Sequence, residues 1–320
     1  MDETDWAFEV VQKLENNTCL DATAITIIES DVKTLRKKVL IIGDYDGDYH
    51  YHYHDDEVYD EDTNSFETFS RTGDKIYTDC QAAPLHDGTI FVVSGFTPYS
   101  YYIYDTTNRR VETYKMPDDF VKYQSFAPLK GGSMLMTGGL TSFYEASNKC
   151  YIFKVADSRV IPCKARMTGG RFNHKMCLLR NGNVMIFSGC RYVSDAAYTT
   201  EWYDATRQLF VKGPDMLFKR FNFTATTMLD GRVLLCGGLH TTGATEIYDP
   251  STNEFHTGPE MMHLRFSHFA ALLSDGRVLV GGGYNSGFNL TTEIYDPRTN
   301  SFTLGPPLRH KRHHSTAVAF

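Results

Sequence analysis

Apolar positions along the chain fall in short runs, and each run stops at a turn signal instead of continuing into a helical period. The stretch from Phe223 to Pro306 shows this most clearly. Phe223 to Leu229 mixes small and apolar residues and ends at Asp230-Gly231. Arg232 to Cys236 is apolar and ends at Gly237-Gly238. Thr245 to Tyr248 alternates with a period of two and stops at Asp249-Pro250, and Glu254 to Thr257 stops at Gly258-Pro259. Such runs predict four successive strands, A to D. Asp-Gly supplies the positive φ of a tight hairpin, and a proline cannot donate to a ladder, so both signals end strands.

The pattern then returns. Asp275-Gly276, Val278 to Gly283, Thr292-Glu293-Ile294-Tyr295-Asp296-Pro297, Asn300-Ser301-Phe302 and Gly305-Pro306 repeat the first copy; Gly231 and Gly276 lie 45 residues apart, Tyr248 and Tyr295 47. Weaker copies precede it. Strand B runs end at Gly43, Gly95, Gly139, Gly189, Gly238 and Gly282, and strand C ends include Val58-Tyr59-Asp60, Tyr104-Asp105, Tyr151-Ile152-Phe153 and Trp202-Tyr203-Asp204. A loose period of this size means a repeat architecture.

An aliphatic strand ending in Gly-Gly, a variable gap, an aromatic-Asp-Pro strand end and then Asn-x-aromatic resembles the kelch repeat. The resemblance implies an all-β, six-bladed β-propeller with four-stranded antiparallel blades. A ring with open edges is prone to mispairing, so it must close. The run His314 to Phe320 reads as one more strand A, placed innermost beside Lys38 to Gly43. Ala22 to Ile28 competes for that place, and a partial seventh blade is the alternative. Trp6 to Leu14 reads as a short helix or an outer strand. No composition break divides residues 1–320, which are expected to form one domain: 1–36 as an irregular or closing segment and six repeats over 37–320.

Composition narrows the function classes. The 42% hydrophobic content supports a large core, and Tyr 20 and Phe 21 against Trp 2 suit strands. A net charge of -7 without a basic block lacks the footprint of a nucleic-acid binder. No apolar run approaches the ~18 residues of a membrane span. The acidic start, Met1 to Asp5, does not read as a signal peptide, so a cytoplasmic protein with no membrane partner is expected. Its three Asn-x-Ser/Thr matches (Asn16, Asn222, Asn289) then carry no glycan. The seven cysteines are odd in number, scattered and without CxxC, against a zinc module or a disulfide framework.

With alternating strands, the B–C loops and the D–A connections share one face, and loops carry function on such scaffolds. Its loops are rich in Tyr, His, Ser and Asp and its D–A connections add Arg; Tyr and Arg often anchor interfaces. A protein or peptide partner is expected there on Tyr49, Tyr51, Tyr53, Tyr99, Tyr144, Arg171, Arg191, Tyr192, Arg220, His240, Arg265 and Tyr284. Arg171, Arg220 and Arg265 each precede a turn glycine by eleven residues, with Lys311 or Arg312 in the corresponding place later. A position that repeats also suits a structural role, in which the arginines join blades through loop carbonyls.

His50, His52 and His54 alternate with tyrosines and could share one side of a strand as a metal site. The competing reading is a solvated acidic loop, and no metal or other cofactor is expected. Asp44, Asp46 and Asp48 echo a calcium loop without its spacing. His310, His313 and His314 cluster near the end, His314 at the repeat position also held by His174 and His268. No GxSxG, HExxH, Walker or dinucleotide fingerprint occurs. Kelch-type copper-radical oxidases use a stacking tryptophan; Trp202 is accounted for by the strand pattern and Trp6 lies outside the repeats. The expectation is a non-catalytic, monomeric interaction scaffold. The alternative is a small-ligand (carbohydrate) site at the channel, either binding alone or a sugar mutarotase- or oxidase-like enzyme; the sialic-acid mutarotases also resemble six-bladed kelch proteins.

Overall fold

The computed structural model describes residues 37–43, 55–73, 80–85, 88–94, 100–116, 122–129, 132–141, 145–191, 197–239, 243–284 and 290–320. Every regular element among them is a strand, and the strands form six blades. Blade 1 combines Lys38–Ile42, Asp56–Asp60 and Ser65–Phe69 with the C-terminal strand Thr316–Ala319. Blade 2 contains Cys80–Pro84, Ile90–Ser94, Ser100–Asp105 and Arg110–Lys115, with Thr72–Gly73 added parallel to its outer strand. Blade 3 runs Ser125–Leu129, Ser133–Thr137, Cys150–Lys154 and Arg159–Pro162, and blade 4 Lys175–Leu178, Val184–Phe187, Thr200–Asp204 and Leu209–Lys212. Blade 5 is Thr224–Thr227, Val233–Cys236, Thr245–Asp249 and Glu254–Thr257; blade 6 is Phe269–Leu272, Val278–Gly281, Thr292–Asp296 and Ser301–Leu304. In blades 2 to 6 the A to D strands pair antiparallel in chain order; in blade 1 the C-terminal strand takes the place of strand A.

The ring closes as its sequence predicts. Thr316–Ala319 pairs with Lys38–Ile42 in the register Leu40↔Val318 and occupies the innermost place of blade 1. The innermost strands then neighbour one another around the whole ring. Ala22 to Ile28 and Trp6 to Leu14 lie outside the described residues, and the six-bladed ring is complete without them.

Strand B is buried on both faces because a blade is sandwiched between two others. Its period of two sends alternate residues to opposite cores. Val233 and Leu235 pack with Met185 and Phe187 of blade 4, while Leu234 and Cys236 pack with Val278 and Val280 of blade 6. Strand B therefore reads as an unbroken apolar run, and strand D, at the rim, is largely exposed.

The C–D hairpins explain the Tyr-Asp-x-x-x-Asn spacing. Asn64, Asn253 and Asn300 take left-handed φ of 49°, 58° and 51°. The hydroxyls of Tyr59, Tyr248 and Tyr295 each donate to the Asn Oδ1 five residues on, at 2.9 Å. Asp249 and Asp296 accept from the side chains of Ser251 and Arg298 and then from the backbone N–H groups of the same residues; the side-chain bonds first, then the backbone ones, hold both carboxyls below their usual range, and the backbone bonds close the turn.

Candidate functional site

The B–C loops and D–A connections meet on one face. Phe172, Phe221 and Phe266 of the D–A connections bridge to Cys190, Leu239 and Tyr284 at the starts of B–C loops. Within blades, Met216 N–H donates to Tyr198 O, Met261 N–H to Gly243 O and Leu308 N–H to Leu290 O, at 2.7 to 3.0 Å.

The repeated arginines are buried in this layer and are not presented to a partner: Arg220, Arg265 and Arg312 are 0% exposed and Arg171 5%. Each ties one junction from both ends. The Arg265 carbonyl accepts from Gly238 N–H of blade 5, while its guanidinium reaches Gly282 O (2.8 Å), Thr291 O (3.0 Å) and the Glu293 carboxylate (2.7 Å) of blade 6. Arg171 pairs likewise with Glu201, and Arg220 with Glu246. Arg312 pairs with Glu57 at 3.0 Å and so joins the last blade to the first. Of the two candidates for that place, Arg312 fills it and Lys311 does not. The structural reading of these arginines is the one the geometry supports.

The Gly-Gly pair belongs to the same joint. A Cβ on Gly237 would collide with the Arg265 carbonyl, and at Gly282 it would lie 2.6 Å from the Arg312 carbonyl. Blade 4 has Ser188 at that place, whose hydroxyl donates to Arg220 O instead. Burial pushes the Arg171, Arg220 and Arg265 guanidinium groups toward neutrality and raises Glu246, and the mutual charge opposes both shifts.

Of the other expected partner residues, Arg191 is exposed at the start of the blade 4 B–C loop, and Tyr284 is 37% exposed with its ring 5.6 Å from Phe266 and 5.9 Å from His313. Tyr49, Tyr51, Tyr53, Tyr99, Tyr144, Tyr192 and His240 lie outside the described residues, as do His50, His52 and His54. Sequence reasoning missed a group of apolar side chains on the same face: Tyr198, Leu217, Met262, Leu264 and Leu290, 39 to 55% exposed. They come from the loops and connections of blades 4 to 6, with Lys219 over the Tyr198 ring at 5.7 Å.

The channel opens onto this face through a polar mouth. Tyr123, Asn173, Asn222, Ser267 and His314, each just before a strand A, ring a cavity of about 60 Å³ together with Gln81, Lys175 and Ser315. All five adopt φ between 52° and 59°, an uncommon state for Tyr and Ser. Inter-blade bonds from Asn173, Ser267 and His314 N–H to Tyr123, Asn222 and Ser267 O hold them there. Behind them lie His174 and His268. Thr137 Oγ1 meets His174 Nε2 at 2.8 Å and Met176 Sδ at 3.1 Å; His268 Nε2 meets Thr224 Oγ1 at 3.0 Å. Burial drives both imidazoles well below the ordinary histidine range, so they are neutral. Their Nδ1 atoms, with Ser267 and Ser315 Oγ, have no hydrogen-bond partner among the described residues. Deeper, the wall turns to Ala82, Ala225, Ala270 and Ala317. No carboxylate lines these cavities among the described residues.

Residues 265–309, blade 6 with its Arg265, match the kelch motif family. The chain is a six-bladed β-propeller whose sixth blade is a kelch motif. Its fold is also similar to the solved structure of YjhT, with a TM-score of 0.64 and 12% identity over 75% of this chain and 86% of that one. No curated protein matches the chain. Among the described residues of this propeller, no group of three or more His, Cys, Asp or Glu converges as a metal site would require.

Proposed function

We propose that this propeller is a non-catalytic scaffold that binds a protein or peptide on its B–C/D–A face, across blades 4 to 6. It works as a cytoplasmic monomer without a cofactor. The observation that carries this reading is the exposed group Tyr198, Leu217, Met262, Leu264, Tyr284 and Leu290 on one loop face of a rigid ring. Apolar side chains gathered on one face are characteristic of interaction sites, whereas scattered ones are ordinary. Lys219, Arg191, Arg309 and Lys311 belong to the same loops and would favour an acidic partner on an otherwise acidic protein.

The test is affinity capture with Met262→Asp/Leu264→Asp against the wild type, with Leu304→Asp, on the outer strand of blade 6, as control. A partner retained by wild type and control but lost from the double variant supports the reading; one retained by all three refutes it. A second reading, a small polar ligand at the channel mouth, is favoured by the unpartnered Ser267, Ser315, His174 and His268 atoms and the left-handed ring around them. A sugar panel read by thermal shift, with Ser267→Ala/Ser315→Ala as comparison, tests it.

A further inference from the structure

Blade 3 breaks the repeat at one pair of positions. In blades 4, 5 and 6 the first residue of strand C is threonine and the residue after strand D is glycine: Thr200 with Gly213, Thr245 with Gly258, Thr292 with Gly305. The glycine N–H donates to the threonine carbonyl at 2.9 to 3.0 Å, so the two residues stand opposite each other across the hairpin. Nothing larger than glycine fits while threonine is there. A Cβ on Gly213, Gly258 or Gly305 would collide with the opposing threonine Oγ1.

Blade 3 has Cys150 and Cys163 at these two places, joined by the same bond, Cys163 N–H to Cys150 O at 2.9 Å. The register Tyr151↔Pro162 next to them puts both side chains on one face of the sheet, against Tyr203 of blade 4. Directly opposed residues of a hydrogen-bonded antiparallel pair have Cα atoms about 5.5 Å apart, inside the ~4.4–6.8 Å window a disulfide needs. Cys150 is buried and Cys163 is partly exposed. The other described cysteines, Cys80, Cys177, Cys190 and Cys236, are buried and belong to other blades.

We propose that Cys150 and Cys163 form a reversible dithiol–disulfide site that clips strand C to the end of strand D in blade 3, with hydrogen peroxide as its oxidant. The hydrogen bond from Cys150 holds the Cys163 thiol below the ordinary cysteine range; that same bond, with burial, pushes Cys150 well above it. Cys163 is partly exposed where Cys150 is buried, so peroxide reaches Cys163 first and it is the attacking residue. Its thiolate sulfur takes the terminal oxygen of the peroxide, the O–O bond breaks, and the departing hydroxide leaves as water after protonation. The Cys150 sulfur then attacks the Cys163 sulfenic sulfur, the S–S bond forms, the S–O bond breaks and a second water leaves. Two thiols lose two electrons and two protons, and the peroxide becomes two waters. The clip anchors the start of the connection Lys164 to Gly170, which crosses the loop face next to the Arg171–Glu201 pair.

The experiment treats the full-length protein with graded hydrogen peroxide, blocks free thiols under denaturing conditions, and maps cysteine linkage by mass spectrometry without reduction. A Cys150–Cys163 linked peptide is expected that dithiothreitol abolishes, with a melting temperature several degrees higher in the oxidised form. In Cys150→Ser, dimedone should trap a sulfenic acid on Cys163; in Cys163→Ser, none should form on Cys150. Cys150→Thr/Cys163→Gly restores the pair used by blades 4 to 6, so it should fold normally and melt at the same temperature with or without peroxide. The exposed Met262 calibrates the dose. If Met262 is already a sulfoxide while both thiols remain free, the proposal is wrong. It is equally wrong if Cys163 passes to sulfinic acid with Cys150 unoxidised, or joins a different cysteine.

Discussion

Replacing Arg265 by alanine should destabilise the ring without touching its exposed face. The change removes guanidinium bonds to Gly282 O, Thr291 O and Thr291 Oγ1 and leaves Glu293, itself fully buried, without its counter-charge. Glu293 keeps its bonds from Met262 N–H and His263 N–H, so it remains anchored but uncompensated. Breaking a buried ion pair from one side costs about 3–5 kcal/mol. Against a typical total of roughly 5–15 kcal/mol that is a large loss. At about 2 °C per kcal/mol for a chain of this size, the melting temperature should fall by about 6–10 °C.

The protein itself suggests the compensating change. Arg171, Arg220, Arg265 and Arg312 each stand four residues before a strand A in sequence; at that count the second and third repeats have Ile76 and Val121, and Tyr102 and Tyr151 stand where strand C has its glutamate. In those repeats neither sequence position carries a charge. Arg265→Val/Glu293→Tyr should therefore recover at least half of what Arg265→Val alone loses, a coupling of about 2 kcal/mol in a double-mutant cycle read by urea unfolding. The reasoning fails if Arg265→Ala unfolds within about 1 kcal/mol of wild type, the range of an exposed ion pair. It fails too if the double variant loses the sum of the two single losses.

Three further outcomes follow from the same geometry. His174 and His268 are neutral when folded and ordinary when unfolded; the unfolded chain therefore binds more protons below about pH 6.5, and each histidine should remove about 1.4 kcal/mol of stability per pH unit under that point. Urea unfolding between pH 7 and 5 measures this, and His268→Gln should flatten the slope. Deleting 316–320 removes the innermost strand of blade 1 and leaves the edge of Lys38–Ile42 unpaired, so the shortened chain should aggregate in light scattering where the full chain does not. Gly282→Ala meets the Arg312 carbonyl at 2.6 Å in a left-handed conformation and should cost more than Gly88→Ala, where φ is also positive but no atom lies within 4 Å; thermal unfolding of the two variants, with strain of about 1–3 kcal/mol in the first, checks the order.

The architecture could be read from sequence because strand, turn and repeat signals agree at every level: apolar strand B, Asp-Gly and Asp-Pro ends, and a spare strand A after the sixth repeat. The arginine joint was half visible. Arg171, Arg220 and Arg265 stand out by spacing, but their partners Glu201, Glu246 and Glu293 sit inside strand C, where a glutamate next to Tyr-Asp reads as an ordinary rim residue. Only the ring, which buries both faces of that strand near the loop side, makes the pairing visible. The channel mouth left less signal. Asn173, Asn222, Ser267 and His314 have no common side chain, and what they share is a backbone conformation. Cys150 and Cys163 carry no CxxC spacing, because it is a hairpin that brings them together across the sheet.

The location of the partner on the loop face is tested most directly by a photo-crosslinking residue placed in turn at Leu264 and at Leu229, exposed to 47 and 51% on the loop face and on the A–B turn of the opposite face. In lysate, the account predicts that the Leu264 probe joins a discrete protein and that the Leu229 probe joins none. Crosslinks from Leu229 with none from Leu264 would contradict it.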